Sequence, residues 1–578
     1  MNPTRGVYQF NRLKMMSDKI IIYQVFTRLF GNDRTNCKHN GTKKENGCGH
    51  FSDFTLKALQ EIKNLGSTHI WYTGVIEHAT QTNYEEVGIT PDHPAIVKGK
   101  AGSPYAIKDY YDIDPDLADK PKERMKEFEN LVARTHKAGL KFIIDFVPNH
   151  VARQYKSDNK PLDVKDLGED DNKQHAFNQQ NNFYYIPDQL FYPNFDLKQD
   201  APSPYYEMPA RATGNDNFSS SPNRNDWYET IKLNYGVDYC GGRQCHFQPT
   251  PSTWLKMRDI LLYWSSNGID GFRCDMAEMV PVEFWGWVIP IVKEKYPDII
   301  FIAEVYNPNE YRNYIYNGKF DYLYDKVGLY DTLRGVMCGY TSARQITTCW
   351  QNVDDIKTHM LNFLENHDEQ RIASDFFAKY PEKGKAGLIV SACMSTNPMM
   401  IYFGQELGER GMDEEGFSGL DGRTTIFDYW TVDTIRRWRN KGKFDNSLLS
   451  DEEKELKAYY SLLLNLCNKE TAIKNGEFYD LMYVNESSEH FNADKNYVFI
   501  RKSGKELILV IANFEDKDRN IGITLPKHLF DFFEIKEQKQ VCGTDLLTGK
   551  EEVVSFNSAQ RLMTHIPANG GKLLKIEL

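Results

Sequence analysis

Gly268-Ile269-Asp270-Gly271-Phe272-Arg273-Cys274-Asp275 reads as a buried strand ending in polar side chains. Side chains alternate along a strand, so Arg273 and Asp275 share one face while Phe272 and Cys274 share the other. A guanidinium beside a carboxylate holds it ionised at neutral pH, which suits a nucleophile and not a general acid. Taken alone, such an Arg-x-Asp pair is most often a structural ion pair at a strand end. Its meaning depends on what neighbouring strands carry to the same place.

Working outward, the chain alternates strand-like and helix-like segments, the pattern of a parallel sheet covered by helices. Upstream, Ile20 to Phe26 is an apolar run and His69 to Tyr72 a strand. Between them a helix is expected from an N-cap at Ser52, with Leu56, Leu59, Ile62 and Leu65 on one stripe. Met125, Phe128, Leu131 and Val132 mark a second helix closed by Gly139; the strand Leu140 to Val147 leads into Asp145-Phe-Val-Pro-Asn149-His150. Downstream come helices Ser252 to Ser266 and Pro281 to Lys295, then strands at Ile299 to Glu304, Phe320 to Tyr324, Met360 to Asp368 and Met399 to Glu406. With the quoted stretch this makes eight strands, which close into a (β/α)8 TIM barrel with its site at the C-terminal strand ends.

Residues 151–251, rich in Asn, Asp, Gln, Tyr and Pro, break the alternation and are too long for a βα loop, so an inserted subdomain is expected there. From about Gly476 short strands alternate with turn residues, which predicts a C-terminal antiparallel β-sandwich over 471–578. The barrel then takes 18–150 and 252–470, and residues 1–17 are expected to be a disordered extension.

The 578-residue chain has a net charge of −11 and a pI near 5.8, which argues against a nucleic-acid partner. No run of about twenty apolar residues suggests a membrane span. The first residues carry Arg5, Arg12 and Lys14 without the apolar core of a secretory signal. Ten cysteines include two local pairs in Gly-rich loops where disulfides could form, Cys37 with Cys48 and Cys240 with Cys245; Cys274, Cys393 and Cys467 sit in apolar runs as free thiols. The balance favours a reducing, cytoplasmic compartment, reversed to periplasmic or secreted if a signal has been removed.

Four strands end in chemistry-bearing residues: Asp145 with His150, Arg273 with Asp275, Glu304, and His367 with Asp368. Opening a glycosidic bond with retention needs two carboxyl groups about 5 to 5.5 Å apart, one attacking the anomeric carbon and one protonating the leaving oxygen. Asp275 and Glu304 end consecutive strands, whose axes lie about 4.8 Å apart. Glu304, flanked by Ile302 and Val305, is expected to have the more apolar surroundings and the higher pKa. Zinc is disfavoured for the histidines because no His-x-His or His-Glu-x-x-His spacing occurs.

These stretches resemble the α-amylase family, glycoside hydrolase family 13. The resemblance rests on Asp145-Phe-Val-Pro-Asn-His150, Gly271-Phe-Arg-Cys-Asp275, Ala303-Glu304-Val and Phe363-Leu-Glu-Asn-His367-Asp368, with Lys232-Leu-Asn234 in the insert. Tyr23-Gln-Val-Phe-Thr-Arg28, Gly102-Ser-Pro-Tyr105-Ala-Ile-Lys-Asp109-Tyr and Tyr402-Phe-Gly-Gln-Glu406 also match in order. The resemblance implies Asp275 as nucleophile, Glu304 as acid/base and Asp368 as a third carboxylate stabilising the oxocarbenium-like transition state. It further implies that Arg273 orients Asp275, that His150 and His367 hydrogen-bond the sugar, and that Tyr105 stacks beneath its ring. An α-glucan or malto-oligosaccharide is then the substrate, with no organic cofactor.

Two departures bear on specificity. Glu278 and Met279 stand where typical members carry a Lys-His pair on the leaving-group side, and they are expected to line that subsite and favour short oligosaccharides, or else to cap the next helix and pack into the loop. Met276, after the nucleophile position, is neither the small residue usual for α-1,4 cleavage nor the valine usual for α-1,6 cleavage. The resemblance also implies structural Ca²⁺ on Asn149, with Asp163, Asp166, Glu169 and Asp170 as further ligands or as a solvated charged face; a second candidate is the loop Gly31-Asn-Asp33-Arg-Thr-Asn36. Transglycosylation is the alternative outcome of the same chemistry. A non-catalytic glucan-binding homologue is the alternative from another class, opposed by the retained Asp275, Glu304 and Asp368.

Overall fold

A computed structural model describes residues 18–197 and 203–578, so the extension expected over 1–17 lies outside the described residues. Each of the eight expected runs forms a strand, and together they close a parallel barrel. Around the barrel the order is Ile21–Phe26, Met399–Tyr402, Met360–Phe363, Tyr322–Tyr324, Ile300–Ala303, Gly271–Cys274, Lys141–Phe146 and His69–Thr73. Closure pairs the first strand with the last, Ile21 opposite Met399 and Gln24 opposite Tyr402.

Strand alternation divides the side chains into two buried sets. Ile22, Trp71, Ile143, Ile302, Tyr324, Leu361, Phe363 and Met400 fill the lumen. Their neighbours in sequence, such as Tyr23, Ile70, Phe142, Ile144, Phe272 and Phe301, point outward beneath the helices.

The helices follow the expected stripes with one correction. The first runs Leu56–Asn64 and is capped by Thr55, whose hydroxyl accepts from the Ala58 N–H at 3.2 Å. Ser52 instead lies in a single 3₁₀ turn, Phe51–Asp53, and Leu56 is 42% exposed while Ala58, Leu59 and Ile62 are buried. Two hydroxyls three residues apart compete as caps, and the one whose side chain reaches the N3 amide wins. Helices Arg124–Lys137, Ser252–Ser266 and Val282–Lys295 form where periodicity places them, with Pro281 as the last helix's N-cap.

Two excursions from the strand ends build the walls of the mouth. After His69–Thr73, a hairpin not expected from the sequence pairs Ile76–His78 with Ile107–Ile113, and Tyr105 sits just before its second strand. After Lys141–Phe146, the polar stretch folds with little regular structure, its longest pairing joining His150–Ala152 to Thr230–Lys232. Further on, six antiparallel strands form one sheet in the order Glu477–Asp480, Asn496–Ser503, Glu506–Asn513, Gly570–Glu577, Gln538–Asp545, Glu551–Phe556, beside a two-stranded sheet, Arg519–Ile523 with Leu562–Ile566. Buried Arg501 ties this sheet to the barrel, donating to the Met394 and Gly476 carbonyls at 2.6 Å each.

All ten cysteines are free thiols: Cys37 Sγ lies 3.4 Å from Thr431 Oγ1, Cys48 Sγ 3.3 Å from its neighbour's carbonyl, and Cys240 and Cys245 are exposed. Among the described residues no helix is long and apolar enough to cross a membrane.

Candidate active site

Arg273 is the hub of the barrel mouth. It stands opposite Asp145 on one side and Ile302 on the other, so it caps the apolar lumen. Its guanidinium lies over the rings of Trp71, Tyr105 and Tyr324 at 5.2, 5.5 and 5.6 Å. Such a dry, aromatic seat makes the charge strongly felt by whatever shares it.

What shares it are carboxylates. The ladder continues beyond the strands, with the Asp275 N–H donating to Phe146 O at 2.9 Å and the Glu304 N–H to Cys274 O at 3.1 Å, so the two acids emerge side by side. Arg273 Nη1 binds Asp275 Oδ1 at 2.8 Å, and Nη2 lies 2.7 Å from Glu304 Oε2, an ion pair without a hydrogen bond. Asp145 Oδ1 is 3.4 Å from the same Nη1 while its other oxygen accepts from Trp71 Nε1 at 3.0 Å.

The two central acids are satisfied unequally. Glu304 also accepts from the Met276 N–H at 2.8 Å and the Tyr306 hydroxyl at 2.5 Å. Asp275 Oδ2 is buried and has no partner. Met276, between them, holds a left-handed backbone (φ 41°, ψ 42°), a strained conformation for a residue with a side chain, and that turn aims its N–H at Glu304.

Burial pushes Asp275, Glu304 and Asp368 above the ordinary carboxylate range while Arg273 pulls each back, and charge on Asp275 raises both Glu304 and Asp368. Burial likewise pushes Asp145 up to about 7. One guanidinium cannot neutralise four carboxylates, so the group retains protons and titrates as a unit. Glu304 is raised as its apolar surroundings led us to expect: burial is the largest cause, opposed by Arg273 and reinforced by the charge of Asp275.

Around these acids lies a cavity of about 290 Å³ lined by Tyr105, His150, Asp275, Glu304 and Asp368, with Met276, Trp227, Tyr306, Phe417 and Phe427 as its apolar walls. Tyr105 stacks on His367 at 5.2 Å, its hydroxyl 2.5 Å from His367 Nε2, which also lies 3.1 Å from Asp368 Oδ2. Burial lowers His150 to about 4, and burial with Arg273 lowers His367 well below its usual value. Both imidazoles are therefore neutral near pH 7 and offer hydrogen bonds, not charge.

Glu278 and Met279 do not line this cavity. Glu278 accepts from the Asn307 N–H at 3.1 Å, and Met279 Sδ rests 3.7 Å from Asn149 Nδ2. Glu278 does not cap the following helix either, since that helix has no side-chain cap. Met276, Trp227, Tyr306, Phe417 and Phe427 take the lining places; only Met276 and Tyr306 had a legible signal, lying one and two residues from Asp275 and Glu304.

Neither expected calcium position suits a metal. Asn149 Oδ1, the atom that would ligate it, accepts from buried Lys232 Nζ at 2.6 Å, and the same ammonium pairs with Asp216 Oδ1 at 2.6 Å. Asp166 and Glu169 are engaged in local turns and Asp170 in a surface pair with Lys165, while Asp163 is exposed, the solvated face of the two readings. In the Gly31 loop, Arg439 donates to Gly31 O at 2.7 Å and to Asp33 and Asp53 at 2.8 Å each. A side-chain cation occupies both places.

A (β/α)8 barrel with paired carboxylates on a shared arginine is the frame of a glycosidase. The family profile "Alpha amylase, catalytic domain" matches residues 24–458, and the chain belongs to the α-amylase family. It is similar to Alpha-amylase 2 of Dictyoglomus thermophilum, 23% identical over 513 residues, which cover 87% of this chain and 71% of the relative. Neopullulanase 2 of Thermoactinomyces vulgaris is 21% identical over 565 residues, covering 95% of this chain and 76% of that one. Among solved structures, a noncanonic maltogenic α-amylase from Thermotoga neapolitana superposes with a TM-score of 0.61 at 20% identity, covering 97% of this chain and 99% of the other, a likeness of fold.

Proposed function

We propose that this protein is a retaining hydrolase of α-glucosidic bonds, acting on the α-1,4 bonds of malto-oligosaccharides or starch-derived glucans. The observation that carries the reading is the fork of Arg273, which holds Asp275 and Glu304 on its two Nη atoms. One planar guanidinium spanning both acids supports the retaining separation of about 5 to 5.5 Å over the inverting one of about 6.5 to 9.5 Å. The relatives named α-amylase and neopullulanase support the substrate class.

In the first step Asp275 Oδ2, buried and unpartnered, attacks the anomeric carbon, and Glu304 gives its proton to the departing glycosidic oxygen. In the second, Glu304 takes a proton from water, which displaces Asp275 from the sugar. Asp368 stabilises the positive charge that develops on the sugar ring in the transition state of each step. Tyr105 stacks on the sugar face, and neutral His150 and His367 bond its hydroxyls. The exposed free thiols of Cys240, Cys245 and Cys542 support a reducing compartment.

The test is Asp275→Asn, with maltoheptaose as substrate and NMR of the first products. The variant should fold and lose about 10⁴-fold or more in kcat, as loss of a nucleophile does. Wild type should release α-anomers first. Initial β-anomers, or a variant retaining about a hundredth of the rate, would overturn the assignment.

A further inference from the structure

Both places expected to hold a metal contain side-chain cations, but a third group of acids has none of its own at the centre. Glu77, on the strand Ile76–His78, stands opposite Asp109 on Ile107–Ile113. Asp112 follows on the same strand, and Asp158 comes from the root of the insert. One carboxylate oxygen from each of the four lies within 4.8 Å of all the others.

Three of these acids are almost fully buried: Glu77 is 1% exposed, and Asp109 and Asp112 are 0%. Asp109 is satisfied by Ser157 Oγ and the N–H groups of Tyr111, Asp158 and Asn159. Asp112 accepts from Arg124, whose Nη2 also lies 3.5 Å from Asp158 Oδ2. Lys108, next in sequence to Asp109, turns away to Asp92 at 2.8 Å. Both oxygens of Glu77 are buried without any partner. A buried carboxylate is expected to be paired or to coordinate a metal, and this one is aimed into a group whose formal charge exceeds what Arg124 supplies.

We propose that Glu77, Asp109, Asp112 and Asp158 bind a calcium ion that fastens the hairpin to the root of the insert. An all-oxygen, carboxylate-rich set selects a hard cation. Four carboxylates drawn from two strands and a loop suit Ca²⁺, which takes about six to eight oxygens at about 2.3 to 2.6 Å in flexible geometry, better than Mg²⁺, which demands about 2.0 to 2.1 Å in a near-ideal octahedron and keeps several waters. The ion would steady the wall of the active-site cavity, because Tyr105 lies two residues before the strand that carries Asp109 and Asp112.

The experiment uses the full chain dialysed against a chelator, titrated with CaCl₂ by calorimetry and melted at each concentration. One Ca²⁺ should bind per chain and raise the melting temperature with concentration. Glu77→Gln should weaken binding at least about tenfold, a loss typical even of groups behind the ligands, and remove the rise. Asp158→Asn, at the exposed corner, should weaken it as well at a smaller cost to folding than a change at the buried Glu77. No binding heat together with an unmoved melting temperature would overturn the proposal, as would unchanged Ca²⁺ affinity in Glu77→Gln. Loss of binding in Asp33→Asn with Glu77→Gln unaffected would place the ion in the Gly31 loop instead and overturn it too. An equal response to MgCl₂ would overturn the choice of ion.

Discussion

Two groups of four carboxylates, each mostly buried and provided with one arginine, are arranged differently. At the barrel mouth Arg273 sits at the centre and touches Asp145, Asp275 and Glu304. In the hairpin group Arg124 stands at the edge, on Asp112 and Asp158, and leaves Glu77 unpartnered. A central guanidinium holds several acids close without a metal and leaves one oxygen, Asp275 Oδ2, free for chemistry. An edge guanidinium leaves the centre to be filled by a proton or an ion. The position of the cation, more than the number of acids, separates a reactive cluster from a structural one.

After loss of the nucleophile, the hardest blow to the mouth is Glu304→Gln, which keeps the shape and removes the exchangeable proton. Turnover of maltoheptaose should fall by about 10⁴, while a glucosyl fluoride, whose leaving group needs no proton, should be spared. Comparable losses on both substrates would take the acid role away from Glu304. In wild type, kcat/KM against pH should be bell-shaped. Activity should fall at low pH as Asp275 gains a proton and at high pH as Glu304 loses one, with the alkaline limb above the usual carboxylate range because burial raises Glu304.

Next is Arg273→Lys, which keeps the charge but has no fork to span two acids. A loss of about 10² to 10³ in kcat is expected, with both limbs of the pH profile displaced. A lysine variant of near wild-type rate would show that the charge alone suffices and that the bridging geometry is incidental.

Lys232→Met tests the ammonium at Asn149, away from the acids. Removing it leaves Asn149 Oδ1 and Asp216 unpaired, and stability should drop by about 1 to 3 kcal/mol in urea titrations. The smallest effect belongs to Glu278→Lys and Met279→His. Since neither residue lines the cavity, the ratio of kcat/KM on maltotriose to that on soluble starch should stay within about twofold. A larger change would extend the substrate cleft past the walls described above.

The barrel was legible because its signal is local and repeated: eight short apolar runs alternating with helix-like segments. The pairing of Asp275 with Glu304 was legible for the same reason, as consecutive strands must be neighbours. What escaped depends on contacts distant in sequence. Trp227, Phe417 and Phe427 reach the mouth from segments with no periodicity, and nothing in their local sequence marks them. The lysine of Lys232-Leu-Asn234 was visible as a motif residue, but that its ammonium would sit where a calcium ion was expected depends on the pairing of His150 with Lys232 across the insert. The cap at Thr55 in place of Ser52 turned on a choice between two hydroxyls three residues apart, finer than propensity resolves.

The pairing of Ile21 with Met399 has a consequence for how the molecule is made. A ribosome delivers the last barrel strand roughly 380 residues after the first, which at about 5 to 20 residues per second means roughly 20 to 75 seconds. Throughout that interval Ile21–Phe26, an apolar stretch that is entirely buried in the finished protein, has an open side. The nascent chain therefore spends most of its synthesis as an unclosed sheet, and its yield in a cell depends on what shields that edge until Met399 arrives.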